Sequence, residues 1–150
     1  MILNKKQREK LKYKYGGNCS YCGVELKQRW QADHFKPVNR IKRYIKDEHG
    51  RNKRDSKNKL ITETIMLNPE NDVIENMMPS CCKCNNDKSS SSIEQWRRII
   101  KHRIHTLNND PKYASYQKAK RYGLIIETDI DVVFWYEKYN SEPQILNEKV

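Results

Sequence analysis

Two C-x-x-C pairs, Cys19-Ser20-Tyr21-Cys22 and Cys81-Cys82-Lys83-Cys84, stand far apart in a chain of 150 residues. That spacing lets two thiolates reach one ion from a tight turn, and two such pairs make a four-sulfur set suited to tetrahedral zinc. Cys19, Cys22, Cys81 and Cys84 are therefore the candidate ligands of a structural zinc, ahead of a redox dithiol or unligated buried cysteines. The fifth cysteine, Cys82, is a spare thiol that could exchange with Cys81. Such a site has no open coordination position, so it staples the chain and leaves any catalysis to other residues.

A staple matters here because the apolar fraction is only 36%, against 33% charged residues. The length suits one domain. Lys and Arg number 30 against 19 Asp and Glu, a net charge of +11, which makes a polyanion the first partner to consider and argues against a membrane protein. With only 5 Gly and no G-x-G-x-x-G or G-x-x-x-x-G-K-[ST], the Gly-rich nucleotide folds are disfavoured. The first residues carry no apolar run of the kind a signal peptide needs, so a reducing cytoplasm is the expected setting, where paired cysteines bind metal more often than they form disulfides.

Local patterns place these residues on elements. Asn4 with Gln7 is a capping-box match opening a short basic helix toward Tyr15, ended by Gly16-Gly17-Asn18. Cys19 to Leu26 reads as a knuckle, and Trp30 to His34 alternates like a short strand that closes at Pro37. The segment 38–59 is a basic insertion with little apolar periodicity, readable as a solvated loop or as a binding element, and no internal repeat is evident. Leu60 to Leu67 is apolar enough to pack. Ser91 with Glu94 predicts a helix start, followed by Ile93, Trp96, Ile100, Ile104 and Leu107 on one face. Asp110-Pro111 and Gly123 bracket a second helix over 112–122, and in the tail 124–150 the segment Leu124 to Tyr139 is acidic and readable as strands or a helix.

Three stretches carry a resemblance: Cys19-Ser20-Tyr21-Cys22-Gly23, then Ala32-Asp33-His34-Phe35-Lys36-Pro37-Val38, then Glu75-Asn76 running through Cys81-Cys82-Lys83-Cys84-Asn85-Asn86-Asp87-Lys88. In this order they resemble the HNH endonucleases, the ββα-metal or treble-clef nucleases, and in particular their zinc-stapled, phage-associated branch. The similarity spans roughly half the chain, a core over 19–90. It implies an α+β fold: a small ββα-metal core with a structural zinc, flanked by an N-terminal helix and, from 91 to 123, by C-terminal helices.

The resemblance also implies roles. Asp33 and Asn85 would be oxygen ligands of a catalytic Mg²⁺ or Mn²⁺, since hard cations prefer oxygen. His34 would be the general base, because imidazole titrates close to neutrality. Asn76 would brace the loop that carries the histidine. Asn85 stands where many members have His, which favours Mg²⁺ or Mn²⁺ over zinc at that ion. Lys88 would contact a phosphate, together with Lys42, Arg43, Arg51, Lys53 and Arg54 of the insertion. The activity implied is metal-dependent hydrolysis of DNA, nicking by a monomer, in a bacterial or phage-infected cytoplasm. A zinc-stabilised nucleic-acid-binding module without catalysis and an RNA-directed nuclease are the competing expectations.

Overall fold

The computed structural model describes residues 2–141, and nine regular elements are ordered along it. Helix α1 (Lys5–Lys12) starts at the capping box the sequence predicts: Asn4 accepts from the Gln7 N–H while the Gln7 side chain accepts from the Asn4 N–H. It lies against the site through Arg8, whose guanidinium stacks 4.3 Å from the Trp30 ring centroid and donates to the Trp30 carbonyl. Gly16 then takes the left-handed conformation that ends the segment.

The knuckle forms over Cys19–Val24, where the Cys19 N–H donates to the Val24 carbonyl and the Gly23 N–H to the Cys19 carbonyl. Strand β1 (Trp30–His34) has the bounds read from its alternation. It pairs antiparallel with β4 (Met77–Cys81), Trp30 opposite Cys81 and His34 opposite Met77. Met77, Met78, Pro79 and Ser80 are all buried. Helix α2 (Cys82–Lys88) follows directly, so one short stretch carries the second cysteine pair into a helix.

Between β1 and β4 the structure departs from a loop. Strands β2 (Arg40–Tyr44) and β3 (Thr62–Met66) form a second two-stranded antiparallel sheet, and Leu60 to Leu67, expected to pack, instead supplies this half-exposed arm. At its end the Ile45 N–H donates to the Ile61 carbonyl, the Lys53 N–H to the Ile45 carbonyl and the Ile61 N–H to the Lys53 carbonyl, closing a three-way ring. Two small hairpins leave that ring, bridged at Lys46–Asn52 and Arg54–Leu60. In each an Asp caps the turn: Asp47 accepts from the N–H groups of His49 and Arg51, Asp55 from those of Lys57 and Lys59. Gly50 and Asn58 occupy the matching left-handed positions. The insertion thus contains the same Asp-capped turn twice, eight residues apart, held by backbone and carboxylate rather than by apolar side chains.

Helix α3 (Ile93–Asn109) begins at Ser92 with Gln95, one residue after the expected Ser91 and Glu94. Its stripe buries Ile93 and Trp96 and packs Ile100, while Ile104 is largely exposed. A 3-10 turn over Pro111–Tyr113 precedes α4 (Ala114–Arg121), which is shorter than the single helix expected over 112–122. The tail crosses back over the core as irregular chain and ends in α5 (Trp135–Ser141); residues 142–150 of the expected tail lie outside the described residues.

The core is aromatic and joins the tail to the knuckle. Phe134 stacks on Trp96 with centroids 5.0 Å apart, and Tyr21 meets Trp96 edge-on, also at 5.0 Å. The Trp135 and Tyr136 N–H groups donate to the carbonyls of Tyr21 and Ser20. The acids of the tail lie on cations of the helices, Asp131 on Lys101, Glu127 on Lys120 and Glu137 on Arg97. Among the described residues no helix is long and apolar enough to cross a membrane.

Candidate functional site

The four predicted sulfurs come together. The Sγ atoms of Cys19, Cys22, Cys81 and Cys84 lie within 4.8 Å of one another, with Cys22 and Cys81 3.9 Å apart. Ligands at the usual zinc–sulfur distance on a tetrahedron stand about 3.8 Å apart, so the cluster could hold a metal ion such as zinc with little movement. Backbone N–H groups already face the sulfurs: Cys81 donates to Cys19 Sγ and Cys84 to Cys81 Sγ. These bonds favour thiolates. The Cys19 thiol is pushed down to about 4 chiefly by the hydrogen bond from Cys84, whose own value is driven up by the same contact. Cys82 lies apart, its thiol donating to the Arg29 carbonyl, which removes the exchange with Cys81 left open by the sequence.

One edge of the β1–β4 sheet opens into a groove of about 670 Å³, lined by His34, Arg40, Asn85, Ser89 and other polar groups, with Asp33 and Lys88 at its floor. His34, the last residue of β1, is brought there by the sheet, and its Nε2 lies 2.8 Å from Asp72 Oδ1. An ionised carboxylate only accepts, so Nε2 is the donor, and in the neutral ring that leaves Nδ1 as the acceptor. Asp72 was not singled out from the sequence. It belongs to the turn-forming run Asn68-Pro69-Glu70-Asn71-Asp72, which reads only as punctuation, and nothing local ties it to a histidine 38 residues earlier.

Asn76 braces the chain after the histidine. Its carbonyl accepts from the Phe35 N–H, its Oδ1 from the Lys36 N–H, and its amide donates to the carbonyls of Lys36 and Asn71. Those bonds hold the exit of β1 beside the turn that carries Asp72. Asn85, on α2, faces the groove with its amide donating to Gln31 Oε1.

Asp33 and Lys88 face each other as a buried ion pair. Lys88 is fully buried, its Nζ 3.0 Å from Asp33 Oδ2, 3.3 Å from Asp33 Oδ1 and 2.7 Å from the His34 carbonyl. A phosphate contact needs an accessible ammonium, and this one neutralises a carboxylate instead. Asp33 also accepts from the Tyr21 hydroxyl. Burial first, and then the Asp33 charge, push the Tyr21 phenol far above its usual value, so it stays a neutral donor. Asp33 therefore presents no bare anionic oxygen to a divalent cation as it stands.

The basic residues of the insertion divide by partner. Arg43 pairs with Glu63 at 2.8 Å, Arg51 with Asp47 at 3.1 Å, and Arg54 donates to the Asn58 carbonyl. Lys42 and Lys53 make no side-chain hydrogen bond or ion pair among the described residues. On the other flank Ser90 is shared with a shallow groove along α3 that includes Arg98, His102 and Arg103. The His102 and His105 rings stack on each other at 4.8 Å. Comparison with family models, with curated proteins and with solved structures gives no match.

Proposed function

We propose that this chain is a metal-dependent DNA endonuclease of the HNH, ββα-metal type. One observation carries it: His34, held through Nε2 by Asp72, lines an open polar groove beside Asn85 at the end of β1, the strand paired with the one that brings Cys81 to the four-cysteine cluster. The order of knuckle, β1, β4 and α2 around that cluster supports a treble-clef core, and the cluster supports a structural zinc.

The chemistry is hydrolysis of a phosphodiester. A water oxygen attacks phosphorus, the proton of that water passes to His34 Nδ1, and the bond to the 3′ oxygen breaks as that oxygen takes a proton from solvent. Asp72 keeps the ring in the acceptor tautomer and stabilises the imidazolium that forms. The products are a 5′-phosphate and a 3′-hydroxyl, and one groove per chain cuts one strand, so a monomer nicks. Proton transfer to a placed base contributes on the order of 10²–10⁴ in rate.

The family's Mg²⁺ or Mn²⁺ would take Asp33 and Asn85 as ligands and stabilise charge on the phosphate and the leaving oxygen. Asn85 suits such an ion, but Asp33 is matched by the Lys88 ammonium, so the ion enters only if Lys88 gives up that contact. The same ion pair is the observation that favours the second reading, a zinc-stapled nucleic-acid-binding module without catalysis.

A plasmid assay separates the two. Purified protein with Mg²⁺ or Mn²⁺ should convert supercoiled DNA to the nicked circle, at least a hundredfold faster than His34→Ala. Equal rates for the two proteins leave the binding module. Cleavage of labelled single-stranded RNA in preference to the plasmid would redirect the activity to RNA.

A further inference from the structure

The arm formed by β2 and β3 has two unlike faces. In an antiparallel pair, directly opposed residues project to the same side and successive residues to opposite sides. One face therefore carries Arg40, Lys42 and Tyr44 opposite Met66, Thr64 and Thr62. The other carries Ile41 and Arg43 opposite Ile65 and Glu63. On the second face the only cation is neutralised, since Arg43 Nε and Nη2 both donate to Glu63 Oε1, at 3.0 and 2.8 Å. The first face has two cations, hydroxyls on Tyr44, Thr62 and Thr64, and no acid.

The charged face starts at the candidate site. Arg40, its first residue, lines the groove with His34 and Asn85. Lys42 and Tyr44 follow at two-residue steps, so the same face leads outward from the groove to the three-way ring at Ile45, Lys53 and Ile61. Beyond the ring, Lys46, Lys57 and Lys59 add cations with no ion pair among the described residues, and Lys53 adds one whose charge acts on Asp47. Hydrogen-bonded strands, not an apolar core, hold this charge in a line; a mobile basic loop would not keep it in one.

We propose that the face of Arg40, Lys42 and Tyr44 is the track that holds the phosphate backbone of duplex DNA where it leaves the groove, and that the Arg43 face takes no part. This rests on the nuclease reading for the identity of the duplex. Five residues of strand reach about 17 Å, the length of about five base pairs at 3.4 Å each. Contacts that far from the broken bond act on binding, not on the chemical step, and loss of a phosphate contact lowers both affinity and its salt dependence.

The test uses the full chain and a fluorescent 30-base-pair DNA, with affinity measured by anisotropy between 50 and 200 mM salt and no added divalent cation. Lys42→Gln and Arg40→Gln should each weaken binding several-fold and lower the log–log salt slope by about one. Arg43→Gln should change affinity by less than twofold. In plasmid nicking, Lys42→Gln should raise KM and leave kcat unchanged. Equal losses for Lys42→Gln and Arg43→Gln, or no loss for Lys42→Gln, overturn the track. Tighter, Lys42-dependent binding of a duplex RNA of the same length overturns DNA as its occupant. Because the nuclease reading falls only when wild type and His34→Ala nick alike, its failure is distinguishable from failure of the track.

Discussion

The Lys88 ammonium lies 3.0 Å from the Asp33 carboxylate with both side chains withdrawn from water. The pair joins α2 to β1, and its third partner, the His34 carbonyl, places it directly beneath the candidate base. Removing one member of a buried pair leaves the other charge uncompensated, which costs about 3–5 kcal/mol, whereas replacing both by groups of similar volume is often close to neutral. Lys88→Ala should therefore lose about that much in urea unfolding, and Asp33→Asn with Lys88→Met should recover most of it. A Lys88→Ala protein as stable as wild type would show that the ammonium contributes nothing beneath His34.

Metal removal tests the staple. Four thiolates this close repel each other unless a cation holds them, and binding free energy at such a site is folding free energy. The purified protein should carry one zinc per chain, and a strong chelator should cause cooperative loss of helical circular dichroism. Cys84→Ser should abolish stoichiometric metal. Cys82→Ser should not, because the Cys82 thiol points to the Arg29 carbonyl. Full metal content in Cys84→Ser with loss in Cys82→Ser would reverse the assignment.

The tail belongs to the core that packs beside the cysteine cluster. Phe134 is buried between Trp96 and Tyr21, and Arg97 stacks on it at 4.7 Å. Phe134→Ala should destabilise the chain by about 3–5 kcal/mol, as deletion of a buried aromatic ring does. Gly23→Ala gives a second handle on the tail, through the neighbouring Trp135. Gly23 has φ +74°, and a Cβ there would stand 3.0 Å from Trp135 Cε3, so both backbone and packing resist it. Stability of Phe134→Ala within 1 kcal/mol of wild type would separate the tail from the core.

What the sequence made legible was local chemistry. The Asn4 and Gln7 cap, the bounds of β1 and each of the two C-x-x-C pairs depend on residues within a few places of one another. The α3 start slipped by one residue because the serine run offers two overlapping matches, Ser91 with Glu94 and Ser92 with Gln95, and only geometry selects between them. The arm was missed because periodicity looks for apolar side chains, and its turns are closed by Asp47 and Asp55 on backbone N–H groups. A search for Asp followed three places later by Gly or Asn would have found both turns. Asp72 on His34 and Lys88 on Asp33 are contacts 38 and 55 residues apart, set by how β1, α2 and the intervening turn pack.

The link between tail and helices should depend on pH. Glu127 accepts from Lys120, Asn108 and Tyr116, and these bonds, Lys120 first, hold its carboxyl down at about 2 from an ordinary 4.5. A depressed folded value stabilises the folded state above the ordinary carboxylate range, and that contribution fades as pH falls toward 2. Glu127→Gln should melt below wild type at pH 7, with the gap narrowing from about pH 4.5 downward. A gap that is constant across that range would assign the effect to shape and not to charge.

Asp72 gives the sharpest view of the candidate base, because it acts on His34 without touching the groove chemistry itself. As a carboxylate it accepts from Nε2–H and so fixes Nδ1 as the acceptor. An amide at the same place could donate to Nε2 instead, which moves the proton to Nδ1 and removes the lone pair that takes the proton of water. Asp72→Asn should lower kcat for nicking by about 10²–10⁴ while DNA affinity stays within twofold, since no phosphate contact is lost. Asp72→Glu, which keeps the acceptor, should restore part of the rate. If Asp72→Asn lowers kcat no further than Asp72→Glu, the carboxylate does not set the tautomer; if it lowers affinity instead, Asp72 serves the turn and not the histidine.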